Sequence, residues 1–145
     1  MRSAALCLVA LAGRAAAQRP AATELGVAAV ATFARGDLAA GGVTFGHRPG
    51  QARVALLLAG GGLDGSAAVR AEATAQFLVN PGARAGVTAY GAAGVAYVGA
   101  RGTRGMSYLT MFLGIEQGAA RSWGWYGEAG LGGGLRIAVG VRWRR

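Results

Sequence analysis

Residues able to carry chemistry are few and scattered in this 145-residue chain. His47 is its single histidine and stands just before Arg48-Pro49-Gly50. A nucleophile–base pair would need a serine within reach of it. Ser66, Ser107 and Ser122 fall on other segments, and no His-x-Ser occurs. A triad assembles in space and not along the chain, so spacing leaves that arrangement open, but no pattern points to it. The single cysteine, Cys7, lies inside an apolar N-terminal run. One histidine and scattered carboxylates offer no metal-ligand spacing. No catalytic residue, metal site or cofactor is therefore expected. Gly60-Gly61-Gly62 and Gly130-Leu131-Gly132-Gly133-Gly134 do not open helices, so they are expected as hairpin turns and not as phosphate cradles. Arg35-Gly36-Asp37 spells an adhesion tripeptide, which chance readily supplies in a chain so rich in Arg and Gly.

What remains is charge. The chain has 15 basic residues, all of them arginine, against 6 acids, for a formal net charge of +9. A balance of this kind suits phosphates, whether of nucleic acid or of lipid. The N-terminus decides between them. Met1-Arg2-Ser3 is followed by an apolar run from Ala4 to Ala12 and then by Ala15-Ala16-Ala17. That charged–apolar–small order predicts a signal peptide over residues 1–17 and an exported domain over 18–145, away from nucleic acid. The apolar run is too short to span a membrane as a helix, which takes about 20 residues.

Glycine sets the fold class. With 27 Gly spread through the sequence, the abundant Ala does not signal helix, because each interior Gly costs about 1 kcal/mol relative to Ala. The longest uncharged stretch of the exported part, Ala85 to Ala100, itself holds four glycines. Turn signals such as Arg48-Pro49-Gly50 and Asn80-Pro81-Gly82 divide the chain, since Pro presets φ and Gly accepts positive φ. Eight strands are expected, near 23–33, 39–47, 52–60, 66–79, 86–98, 106–116, 123–132 and 135–143. Their lengths match what a tilted membrane strand needs.

Alternation runs through these segments. Leu135, Ile137, Val139, Val141 and Trp143 oppose Arg136, Ala138, Gly140 and Arg142. Val69, Ala71, Ala73, Ala75, Phe77 and Val79 oppose Arg70, Glu72, Thr74 and Gln76, and similar faces recur around Glu116 and Glu128. Side chains point alternately to the two sides of a strand, so each strand has one apolar and one polar face. The pattern fits two arrangements. A soluble periplasmic β-barrel would turn the apolar face inward and bind a small apolar ligand there. A membrane barrel would turn it to lipid and fill the lumen with the polar face.

Two placements favour lipid. In an up-and-down barrel the ends of even strands and the starts of odd strands share a rim. Phe45, Phe77, Trp123, Trp125 and Trp143 then fall on one rim, and Phe33 and Tyr97 on the other. Such aromatic girdles belong at membrane interfaces. The four glutamates, Glu24, Glu72, Glu116 and Glu128, all lie on polar faces together with Arg70, Arg136 and Arg142. Enclosed charges must be paired and hydrogen-bonded. Contacts are expected between Glu128 and Arg136 across the last hairpin, and between Glu24 and Arg142 across the closing seam. Arg48, Arg84, Arg121, Arg144 and Arg145 gather on the tryptophan rim, with Arg35, Arg101 and Arg104 on the other.

Over residues 18–145 the chain resembles the small outer-membrane barrels of the OmpA/OmpX-like type. The resemblance implies an all-β fold, an eight-stranded antiparallel up-and-down transmembrane β-barrel. It also implies an outer-membrane location, a monomer, outer-membrane lipids as surroundings, and insertion machinery that reads a terminal aromatic. Gly140-Val141-Arg142-Trp143 is similar to that signal, although Arg144-Arg145 follow it. Termini and the tryptophan rim would face the periplasm, which turns Arg101 and Arg104 outward as candidate lipopolysaccharide contacts. Every connection is short, so loop-borne adhesion or receptor functions are not expected. The reading is a structural or surface protein without catalytic activity.

Overall fold

A computed structural model describes residues 22–145; the expected signal peptide lies outside the described residues. Eight strands follow one another: β1 (Ala22–Phe33), β2 (Leu38–Arg48), β3 (Ala52–Leu63), β4 (Ser66–Leu78), β5 (Val87–Ala100), β6 (Met106–Gln117), β7 (Trp123–Leu131) and β8 (Leu135–Arg144). Each pairs antiparallel with its neighbour in sequence, and β8 returns to β1 to close the barrel. The seam pairs Leu25 with Trp143 and Ala31 with Ile137. It continues to the last residue, where Thr23 and Arg145 exchange backbone hydrogen bonds of 2.8 and 2.9 Å. Closure removes the open edges that a flat sheet would expose.

Turns form where the sequence places its Pro and Gly, but two glycine-containing stretches depart from expectation. β3, expected to stop at Gly60, instead runs through Gly61 and Gly62 to Leu63. The turn proper is Asp64-Gly65, with φ of 48° and 81°, the paired positive values of a two-residue hairpin. Gly61 is inside a strand for a steric reason: a Cβ there would strike the backbone of Ala39 and Ala40 on β2. Similarly, β5 continues past Gly99 to Ala100. By contrast, Gly133 and Gly134 do make the last hairpin turn, with φ of 81° and 147°.

The interior is narrow, as expected of eight strands, and the inward face is largely polar. Small apolar patches remain: Ala28, Val30, Ala40, Leu57, Ala59, Tyr126 and Ala138 form one, and Leu78, Tyr90, Phe112 and Ala119 another. Two inward tyrosines lie across glycines on the next strand. Tyr90 pairs with Gly114 and Tyr126 with Gly140, and a Cβ on either glycine would enter the facing ring.

Candidate functional site

The alternation settles which face goes where. Leu25, Val43, Leu58, Val95, Leu109, Met111, Leu113 and Val139 are exposed on the outer wall, while Glu24, Glu72, Glu116 and Glu128 are buried inside. A water-soluble protein seldom exposes so continuous an apolar surface. Leu135, Ile137, Val139 and Trp143 stand on the outside and Arg136 and Arg142 of the same strand stand on the inside. Seven aromatics ring the outer wall: Phe33, Phe45, Phe77, Tyr97, Trp123, Trp125 and Trp143, each between 40% and 58% exposed. Cross-strand register puts Trp143 opposite both Leu25 and Trp123, and Leu25 opposite Phe45. These side chains are therefore cross-strand neighbours on the outer wall of β7, β8, β1 and β2.

The lumen holds a continuous ionic network of four carboxylates and six guanidiniums. In the half remote from the termini, Glu72 receives Arg70 at 2.8 Å and Arg136 at 2.9 Å. Arg136 also reaches Glu128 at 2.9 Å across the last hairpin and stacks on Phe112, 4.2 Å from the ring centre. Arg70 donates further to Thr32 Oγ1 and to the carbonyl of Gly132. Tyr90 donates to Glu128 at 2.6 Å, which bridges the two halves.

In the half near the termini, Arg53 is the hub. It lies 2.8 Å from Glu24 and from Glu116 and donates to Gln76 Oε1 at 2.8 Å. Glu116 also accepts from Arg142 at 2.9 Å and Arg144 at 3.2 Å. The expected pair of Glu24 with Arg142 is present only as a 3.8 Å contact. The register explains why: Glu24 faces Arg144, while Arg142 faces Gly26. Arg142 turns instead toward Glu116 and stacks on Tyr126 at 3.8 Å.

Sequence reasoning missed Arg53, Arg48 and Arg144 as lumen residues. Arg144 has the parity of Arg136 and Arg142 on β8, and Arg48 that of Thr44 and Gly46 on β2, so extending the alternation would have found both. Arg53 was hidden by Leu56-Leu57-Leu58, where the contrast between faces of β3 disappears.

Between these layers is a cavity of only about 30 Å³, lined by Thr44, Glu72, Tyr126, Arg136 and Arg142 among others. That is room for a water molecule, and it has no apolar lining large enough for a hydrophobic ligand. His47 is exposed on β2, as are Ser66, Ser107 and Ser122 on their own segments. Ser66 starts β4 and Ser107 lies near the start of β6, at the rim opposite His47. Arg101 and Arg104 are exposed at that opposite rim, in the connection after β5. Among the described residues no group of three metal-ligating side chains occurs.

No family model matches the chain, and no curated protein does. Solved structures do. The N-terminal β-barrel domain of Pseudomonas aeruginosa OprF is similar at a TM-score of 0.67 and 18% identity, over 86% of this chain and 97% of that one. OprG from Pseudomonas aeruginosa follows at 0.60 and 11%, over 86% and 95%. Neisserial surface protein A gives 0.57 and 12%, over 85% and 96%. The chain has the fold of the eight-stranded barrels found in outer-membrane proteins.

Proposed function

We propose that this chain is an integral outer-membrane β-barrel with a structural or surface role and no catalytic activity. One observation carries the reading: the closed cylinder is apolar outside and ionic inside, with aromatic side chains near both rims. In water that arrangement would expose the apolar belt and gain nothing from sealing ten charged groups away. In a bilayer both choices become favourable, because lipid accepts the belt and the lumen keeps its charges paired. The short connections leave little surface for a large protein partner. Arg101 and Arg104, on the rim away from the termini, supply guanidiniums for lipopolysaccharide phosphates. Trp143 near the end of β8 supplies the outward aromatic for the insertion machinery.

Fractionation tests the assignment. The chain expressed with its own N-terminus should pellet with outer membrane and migrate differently on a gel before and after boiling. Recovery in the soluble periplasmic fraction, with a single unboiled and boiled mobility, would refute it.

A further inference from the structure

The lumen's charges are unevenly distributed along the axis, and the surplus collects at one mouth. In the half remote from the termini, Glu72 and Glu128 face Arg70 and Arg136. In the half near the termini, the two carboxylates Glu24 and Glu116 face four buried guanidiniums, Arg48, Arg53, Arg142 and Arg144. The two nearest the mouth divide their contacts between carboxylates and backbone carbonyls. Arg48 reaches Glu24 only at 3.7 Å and otherwise touches the carbonyl of Pro81 at 3.4 Å. Arg144 reaches Glu24 at 3.3 Å and Glu116 at 3.2 Å, and its remaining nitrogen donates to the carbonyls of Gly118 and Arg121, at 3.5 and 3.4 Å.

Above them the mouth opens into a hollow of about 520 Å³. Arg84, Arg121 and Arg145 line it together with Arg48 and Arg144. Among the described residues, no carboxylate side chain pairs with Arg84, Arg121 or Arg145 within 4.0 Å. The walls are fixed by backbone hydrogen bonds that tie the β6–β7 connection to the β4–β5 connection and to the end of β8. Ala120 N–H donates to the carbonyl of Ala83 at 2.9 Å, Gly118 N–H to that of Gly86 at 3.0 Å, and Arg144 N–H to that of Ser122 at 2.7 Å. Five arginines thus line one hollow whose walls are hydrogen-bonded backbone, and three of them, Arg84, Arg121 and Arg145, are exposed. Its rim carries Trp123 directly after Ser122 and so lies at the level of the aromatic belt, where headgroups sit in a bilayer.

We infer that this arginine-lined mouth is a binding site for a phosphate-bearing anion, either a lipid headgroup or free phosphate. Planar guanidiniums present paired N–H donors that match phosphate oxygens. An anion here would meet the surplus positive charge that the lumen carboxylates leave uncompensated. The inference holds whichever compartment the mouth faces, and it does not depend on lipopolysaccharide contacts at the other rim.

The test uses the folded barrel in non-ionic detergent, whose headgroup carries no phosphate. Inorganic phosphate is titrated against sodium chloride of equal ionic strength while backbone amide resonances are followed. Saturable shifts at residues 82–86 and 118–122, absent with chloride, are expected. In the double variant R84Q/R121Q, affinity should fall at least about tenfold, since a single charge-assisted hydrogen bond contributes on that order. Both substituted side chains are exposed, and unchanged heat-modifiable mobility will show that the variant folds. A second arm dopes the micelles with phosphatidic acid or with diacylglycerol of the same chains. Displacement of phosphate by phosphatidic acid alone identifies a headgroup site, and no displacement identifies a free-phosphate site. Shifts no greater than those with chloride, or equal affinity in the double variant, would overturn the inference.

Discussion

Replacing Arg53 with methionine keeps most of the side chain's volume and removes one guanidinium from the most crowded ionic contact in the barrel. Arg53 is 1% exposed, lies 2.8 Å from both Glu24 and Glu116, and donates to Gln76 at 2.8 Å. Breaking a buried pair by deleting one partner typically costs about 3–5 kcal/mol, because the remaining charge stays buried and uncompensated. Here the loss is cushioned. Glu116 retains Arg142 and Arg144 at 2.9 and 3.2 Å, and Glu24 retains Arg144 at 3.3 Å. Removing a cation from a half of the lumen where cations outnumber anions also relieves some repulsion. The expected cost is therefore at the lower end, about 3 kcal/mol. Urea unfolding in lipid vesicles, followed by tryptophan fluorescence, reads this directly. With a slope of about 1–3 kcal/mol per molar urea, the midpoint should drop by about 1 M or more. Arg84→Met, on the exposed rim, is the control and should shift stability by less than about 0.5 kcal/mol. The double variant R53M/E116Q should lose less than the sum of the single variants, as directly interacting residues do. Equal midpoints for R53M and R84M would refute the view that the sealed network holds the barrel together.

Further outcomes follow from the same geometry. Met111→Arg, midway along β6 on the outer wall and 63% exposed, should destabilise the folded barrel in bilayers by about 2–4 kcal/mol; vesicle unfolding curves would check it, and a neutral result would contradict burial of that wall in lipid. Gly114→Ala should cost about 1–3 kcal/mol by overpacking against the Tyr90 ring, measurable in the same assay. Planar-bilayer recordings should show no steady ohmic current, because the interior space between the ionic layers is only about 30 Å³; a sustained open level would show that the network parts.

Much of the architecture was legible because a barrel strand repeats every two residues. On β8, Arg136 and Arg142 stand out against Ile137, Val139 and Val141, so the inward face declared itself. Glu128 and Arg136 come together because the last hairpin is tight enough for the sequence to fix its pairing. The closing seam is different. No turn connects β1 to β8, so nothing local fixes their register. The structure sets Glu24 opposite Arg144, two residues beyond the expected Arg142. Arg53 escaped for another reason: Leu56, Leu57 and Leu58 are all apolar, although Leu57 points inward. Glycine misled as well. Gly60 to Gly62 have the composition of a turn, yet they belong to β3, where neighbouring backbones approach too closely for a Cβ at Gly61.

The inside-out arrangement is tested most directly by the three tryptophans, since Trp123, Trp125 and Trp143 all stand on the outer wall near the same rim. Their fluorescence should be quenched strongly by lipids brominated near the carbonyl end of the acyl chain, weakly by lipids brominated near its methyl end, and little by aqueous iodide. Full quenching by iodide with no response to either brominated lipid would contradict it.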